Sequence, residues 1–359
     1  MKSMNEKSSL LCARLSDNEA ALIAAPHHLR YLVGFPSGDS WLFLTKEEVY
    51  FLTDFRYIET AKTTLKGVTC LQITTLSDSI KELATRHAIN RVFLEADYTT
   101  AFQLTRFQQQ LPMVEWDASD TLDTWLCEQR AVKSEQEVKS ILQAQALCEQ
   151  SFSHILSHIR AGMTEREIAL ELEFYVRKLG AERTAFDFIV VSGKNTSLPH
   201  GIPTDKAVQK GDFITMDFGA VVDGYCSDMT RTVALGSVSE KQKTVYDTVL
   251  KAQKAALAQL RHGISCRDAD AAARDVITAA GYGQYFGHAT GHGVGVQIHE
   301  QPTLSPRASQ KTLVTGNVVT VEPGIYIEQQ FGVRIEDMVW ITADGCRNLT
   351  SCPKELIYL

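Results

Sequence analysis

No stretch of this 359-residue chain is apolar for long enough to cross a bilayer. Its opening residues, MKSMNEKSSLLCARLSDNEAALIAAP, hold no apolar run of the length a signal peptide needs. A cytoplasmic protein with no membrane partner is the expectation. Cysteine pairs in CxxC spacing are also missing. The eight thiols, at 12, 70, 127, 148, 226, 266, 346 and 352, are scattered through a chain too large to need covalent staples, so reduced cysteines are expected. Positive charge is in short supply: 36 Lys plus Arg against 43 Asp plus Glu leave a net charge of -7, which argues against nucleic acid or an anionic membrane as a general partner. Low-complexity linkers and strong repeats are lacking too. What remains, 44% hydrophobic and 22% charged residues, is ordinary globular composition and argues against disorder.

Up to about residue 127, short β-rich runs (ALIAA, SWLFLT, EVYFLTD, RVFLEAD) alternate with helical stretches such as DFRYIETAKTTL and SDSIKELATRHA. That rhythm predicts an α/β domain. A long helix follows, opened by the capping box Ser134/Glu137 and striped by Val138, Ile141, Leu142, Phe152, Ile155, Leu156 and Ile159 until Gly162. Thr164 and Glu167 open a second helix that ends at Gly180. Strands are then predicted in FDFIVVSG, GDFITMDFG and SDMTRTVALG, two helices in SEKQKTVYDTVLKAQKAALAQL and CRDADAAARDVITAAG, and a last strand pair in NVVTVEPGIYI and FGVRIEDMVWI. The domain boundary is placed at 129/130, where the α/β rhythm gives way to the long helix.

Residues 217–228, DFGAVVDGYCSD, begin and end on aspartate between two strand-like segments, and Asp223-Gly224 is a hairpin-turn pair. A turn centred between 222 and 223 sets Asp217 opposite Asp228. With Asp223-Gly224 as the loop, Asp228 instead faces Gly219, on the same face as Asp217. Either register puts two like charges roughly 5 to 8 Å apart across a strand pair, which is destabilising. A solvated strand end, or pairing with Arg231 or another base, would relieve an isolated case. The arrangement recurs, however: a three-residue loop at 328–330 sets Glu322 opposite Glu336, with Arg334 on the same face.

Four inward acids call for cations. Carboxylate oxygens suit Mn²⁺, Mg²⁺ or Ca²⁺, and an added imidazole moves the preference towards Mn²⁺, Co²⁺ or Zn²⁺. GHATGHGVGVQIHE offers His288, His292 and His299, three of the ten histidines within twelve residues. The glycines at 287, 291, 293 and 295 argue against a helix there and for a strand or loop that lets substrate approach closely. His200, in LPHGIP, is a fourth candidate.

In chain order, Asp217, Asp228, His292, Glu322 and Glu336 stand in DFG, SDMTRT, TGHGVG, VEPG and GVRIED. This set resembles the five-ligand dinuclear metal site of the pita-bread metallopeptidases. The surrounding residues are similar to their proline-specific branch, the Xaa-Pro aminopeptidases and Xaa-Pro dipeptidases. The match runs from roughly residue 130 to 359, while YLVGFPSGDSW and TDFRYIETAK are similar to the creatinase-like N-terminal domain of that branch. The implied fold is an α/β N-terminal creatinase-like domain, 1–129, followed by an α+β pita-bread catalytic domain, 130–359.

The resemblance also implies roles. Asp217 would bind one ion through both oxygens, Asp228 and Glu336 would bridge the pair, and His292 with Glu322 would complete the other. A water between two divalent ions, Mn²⁺ before Co²⁺ or Zn²⁺, would attack, with Glu322 taking its proton. His200, His288, His299 and Arg334 would hold substrate and move protons. A homodimer is expected by the same likeness, with a small peptide carrying proline second as substrate. Ala289, Gln297 and Thr303 depart from residues usual in the family, and none is in the ligand set.

The leading expectation is an Xaa-Pro aminopeptidase, with an Xaa-Pro dipeptidase as its alternative. A methionine aminopeptidase fits the large N-terminal domain and the HATGHG form poorly. A metal-free creatinase-like hydrolase would have no reason to align four acids. A non-enzymatic binding protein of the same fold would be expected to have lost some of the five.

Overall fold

The computed structural model describes residues 5–308 and 311–359, so the first four residues of the N-terminal stretch lie outside the described residues, as do Ser309 and Gln310. The chain divides into two compact units, Met1–Arg130 and Ala131–Leu359.

In the first unit the β-rich runs form a six-stranded sheet. Its order is Thr69–Gln72, Val49–Thr53, Ser40–Thr45, Glu19–Ile23, Arg91–Leu94, Glu115–Asp117. Two pairings are hairpin-like: Glu19–Ile23 with Ser40–Thr45, and the latter with Val49–Thr53, run antiparallel. The other three joins are parallel and need crossovers, which the helices Ile58–Thr64, Leu76–Arg86 and Ala101–Gln110 help to supply. All five positions of Val49–Thr53 are buried, as expected of a strand covered on both faces. This is the expected α/β architecture.

The second unit starts with the helix Glu135–His158, closed at its N-terminus by the Ser134/Glu137 capping box. It stops one residue before Ile159, the last member of the expected stripe, whose side chain nonetheless stays buried. Thr164 and Glu167 cap the helix Glu165–Lys178, and the chain leaves it through Gly180 at φ 110°. Phe152, Ile155, Ile168 and Leu172 from this pair pack on Val190, Ile214, Met216, Phe218 and Val233 of a three-stranded sheet. Each such side chain stabilises the unit by roughly 1.5–3 kcal/mol through burial.

A second helix pair, Glu240–Gln259 and Cys266–Ala279, is capped by Ser239 and Ser265. Val245, Val249, Ala273 and Ile277 pack on Val319, Val321, Val333 and Val339. The architecture therefore repeats, capped helix pair and then acid-bearing strands, although the sequence shows no strong repeat. Only the hydrophobic period and the caps have to match for this, and many residue choices satisfy them. Because Ile214, Met216 and Phe218 face the first helix pair, the two-residue strand period turns Thr215 and Asp217 to the opposite face.

Among the described residues, no helix is long and apolar enough to cross a membrane.

Candidate metal centre

The aspartate hairpin adopts the second of the two registers read from the sequence. Asp223 at φ 49° and Gly224 at φ 78° form its two-residue loop, the left-handed pair that a tight hairpin requires. Val222 pairs with Tyr225 and Val221 with Cys226. Beyond a break at Gly219 the same register continues as Phe218 with Met229 and Asp217 with Thr230. Asp228 thus falls opposite Gly219, on the face of Asp217. A Cβ on Gly219 would lie 2.0 Å from the Ser227 carbonyl oxygen, so only glycine lets the strands close at the break.

The glutamate hairpin keeps the expected centre at 329. Gly324 pairs with Arg334 and Ile327 with Phe331 on one side of Glu322 and Glu336; Val321 pairs with Asp337 and Val318 with Trp340 on the other. Each predicted strand is therefore two strands, interrupted where its acid stands. Pro323, which lacks an N–H, explains one interruption. At the other, Glu336 N–H donates across to the Thr230 carbonyl, 3.1 Å away, and this ties the two hairpins together.

Gly291–Gly293 is a strand between Glu300–Leu304 and Val318–Val321, so the expected non-helical reading of the histidine segment holds. Two of its glycines are required by packing within the sheet. A Cβ on Gly291 would sit 1.9 Å from Thr320 O, and one on Gly293 would sit 2.4 Å from Gln301 O. At these two positions neighbouring backbone makes a close approach. Inside this strand the His292 Nδ1–H donates to Gly293 O at 3.1 Å, which leaves the Nε2 lone pair free to face carboxylates. Nε2 lies 3.4 Å from Glu322 Oε1 and 3.6 Å from Asp228 Oδ2.

One ligand atom each from Asp228, His292 and Glu336 lie within 4.8 Å of one another. Glu322 joins them through His292, and Asp217 through Arg334, whose Nη2 donates to its Oδ2 at 2.6 Å. Such crowding shows in the acidities. Burial, then Glu336, Asp217 and Glu322, raises the Asp228 carboxyl well above its ordinary value. Burial, then Glu322 and Asp217, does the same to Glu336. Burial lifts Glu322 to about 8, with Arg334 opposing and Asp217 adding to the rise.

Arg334 is the guanidinium of this cluster. It donates through Nε to Thr230 Oγ1 at 3.0 Å, and through Nη1 to Pro199 O at 3.2 Å and to the Tyr326 hydroxyl oxygen at 2.9 Å. Arg231, the base considered for an aspartate, instead bonds Asp337 at 2.8 Å and the Glu336 carbonyl at 2.5 Å, and so supports the hairpin from behind.

A cation is what this acceptor-rich set lacks. Asp217 Oδ1 is buried and has no hydrogen-bond partner, a loss comparable to a broken hydrogen bond unless a positive ion meets it. Carboxylate oxygens with one imidazole nitrogen are a donor set for borderline to hard divalent ions. The residues present therefore fit metal.

The remaining candidates fall at different depths. His288 Nδ1–H donates to Ala289 O at 2.8 Å, and its Nε2 accepts from Tyr326 OH at 2.9 Å; burial lowers its pKa to about 4, so the ring is neutral. The His299 ring stands edge-on to His292 with centroids 4.5 Å apart, and its pKa is lowered by burial first, then by His292 and His200. His200 is exposed, and its loop reaches the cluster through Pro199 O. Among the described residues no hydrogen bond ties the His200 ring to the acids.

Tyr326, Thr230 and Thr320 were not anticipated. Thr230 donates to Glu336 Oε2 at 2.6 Å, and Thr320 donates to Glu322 Oε1 at 3.2 Å. Strand parity was the available signal, since Thr230 and Thr320 lie two residues from Asp228 and Glu322, and Tyr326 lies four from Glu322.

Comparison with known proteins identifies the family. The profile of metallopeptidase family M24 matches residues 139–343, and that of the creatinase/prolidase N-terminal domain matches 14–132. An Xaa-Pro dipeptidase of Pyrococcus horikoshii is 42% identical over 236 residues, 66% of this chain and 67% of that one. The structure of an Xaa-Pro dipeptidase from Bacillus anthracis superposes with a TM-score of 0.94 at 39% identity, covering 99% of both chains. An X-Pro aminopeptidase structure from Thermotoga maritima gives 0.90 at 36% identity, over 97% of this chain and 100% of that one. With two family profiles on its two halves and full-length structural relatives, the chain belongs to metallopeptidase family M24, an enzyme with a creatinase-type N-terminal domain and a pita-bread catalytic domain.

Proposed function

We propose that this enzyme hydrolyses the peptide bond before proline, acting first on Xaa-Pro dipeptides. The observation that carries the chemistry is the buried acid cluster with its orphaned Asp217 Oδ1. The preference for proline comes from the relatives. The dipeptidase form, the alternative in the sequence reading, now leads because the Pyrococcus and Bacillus proteins bear that name. The Thermotoga structure keeps the aminopeptidase form as second reading.

Asp217, Asp228, His292, Glu322 and Glu336 are the proposed ligands of two divalent ions, Mn²⁺ before Co²⁺ or Zn²⁺. Two such ions carry a charge of +4, which four carboxylates balance. When bound, they acidify water and polarise the scissile carbonyl. The chain's own groups do the rest. Gly293 O fixes the His292 tautomer, and Thr230 and Thr320 orient Glu336 and Glu322. Glu322 would accept the proton of the attacking water at Oε and pass it to the leaving proline nitrogen.

Arg334 holds Asp217 in place and, through Tyr326, keeps His288 neutral and oriented. His200 and His299, more exposed, are placed to meet substrate. Since an Xaa-Pro bond has no amide N–H, a site that depends on apolar fit and imidazoles has an advantage over one that needs that donor. A homodimer in the cytoplasm completes the proposal; the net charge of -7 and the lack of a spanning helix among the described residues are consistent with a soluble setting.

The test compares Xaa-Pro, Xaa-Pro-Xaa and Xaa-Ala peptides on Mn²⁺-reconstituted protein. Xaa-Pro is expected to give a kcat/KM about tenfold or more above the tripeptide, and Xaa-Ala is expected to be cleaved poorly. Equal or faster tripeptide cleavage would establish the aminopeptidase form, and equal cleavage of Xaa-Ala would remove proline specificity.

A further inference from the structure

Among the described residues, one other group of metal-ligating side chains gathers outside the carboxylate cluster: His154, His158 and Glu171, with one donor atom each inside a 4.8 Å spread. The two histidines stand four apart near the end of the helix Glu135–His158, so they share a face. Glu171 comes from the neighbouring helix Glu165–Lys178.

The ring environments suit ligation. His158 Nδ1–H donates to His154 O at 2.9 Å, with Ser157 Oγ 3.1 Å away, so its Nε2 keeps a lone pair. A carbonyl on the far nitrogen is the usual second partner of a metal-bound imidazole. His154 stacks on Tyr175 with centroids 3.7 Å apart and planes 5° from parallel, and its centroid lies 3.8 Å from that of His158, which fixes its orientation. Its Nε2 meets Glu171 Oε1 at 2.6 Å, a contact that a shared proton occupies.

We propose that His154, His158 and Glu171 form a surface site for one borderline divalent transition-metal ion of the zinc class, which clamps the end of the first helix to the second. Two imidazoles and a carboxylate fill three positions of a tetrahedral ion and leave the fourth to water. On binding, the proton between His154 and Glu171 passes to His154 Nδ1 or to solvent, and no covalent or redox step is involved. Mn²⁺ stands lowest in the affinity order for such nitrogen-containing sites, so it fills this one far less readily than Zn²⁺ does.

Protein loaded with Mn²⁺ is titrated with Zn²⁺ beside His158→Ala and Glu171→Gln, with bound zinc read by a chromogenic competitor and by metal analysis after desalting. Exchange at the carboxylate cluster affects all three proteins alike, so the difference between them reports the helix site whether or not the proposed peptidase reading holds. Wild type is expected to hold about one more zinc ion per chain than either variant, or to hold it about tenfold or more tightly. Both variants are expected to keep wild-type hydrolysis with Mn²⁺. Equal zinc stoichiometry and affinity in all three proteins overturns the site.

Discussion

Asp228→Asn is expected to abolish hydrolysis while making the metal-free protein harder to unfold. The opposite signs follow from the position of this carboxyl. Asp228 is 4% exposed, and burial and three neighbouring acids already resist its ionisation. Asparagine has nearly the same shape without the charge, so repulsion in the empty cluster falls. In the metal-loaded enzyme the same change would remove one of the proposed ligands, and a loss of roughly 10²–10³-fold or more in kcat is expected, the scale seen when one electrostatic stabiliser is removed. Peptide assays with Mn²⁺ and urea melts in chelator check the two halves. A variant that keeps its activity and loses stability would make Asp228 a structural residue.

The second large effect is a pH dependence that appears only without metal. Glu322 has a folded pKa of about 8 against an ordinary 4.5, so the fold binds protons that the unfolded chain has released. Stability from such a group is fully present below its unfolded value and is lost as pH rises through its folded value. The histidines act the other way. His288, His292 and His299 are held below their ordinary 6.5, so each disfavours the fold as pH falls under that value. Asp337, held below its ordinary 3.8, matters only in more acidic solution.

The two trends oppose each other below about pH 6.5 and leave the carboxyl effect alone between about 6.5 and 8. In that window the Tm of metal-free protein is expected to fall as pH rises. Metal binding displaces the protons, so the Tm gain on adding Mn²⁺ is expected to widen over the same range. A metal-free Tm that stays level or climbs from pH 6.5 to 8 would mean that these acids are not buried together.

Much of the site could be read from turn chemistry. Asp223-Gly224 names its own loop because two successive left-handed residues are cheap only for such a pair, and the glutamate register follows from the loop centred on 329. Once the loops are known, the two-residue period dictates which acids converge. The interruptions were hidden, since they depend on contacts from distant chain: Gly219 against Ser227 O and Glu336 N–H on Thr230 O. The partner of Arg334 lies 117 residues away, and the sequence pattern gave no means of choosing Asp217 over a closer acid. The glycines of the histidine strand were recognised as permissive, but what approaches them is settled only by the neighbouring strands. The helix caps were legible from local spacing alone, because Ser134/Glu137 and Thr164/Glu167 each satisfy their hydrogen bonds within four residues.

Equilibrium dialysis against Mn²⁺, after exhaustive chelation, probes the acid cluster most directly. About two ions per wild-type chain are expected, with uptake coupled to proton release, and far fewer are expected in Asp228→Asn. Chelated protein that binds no Mn²⁺ yet still cleaves Xaa-Pro at its full rate would contradict the proposal that these side chains converge in order to hold metal.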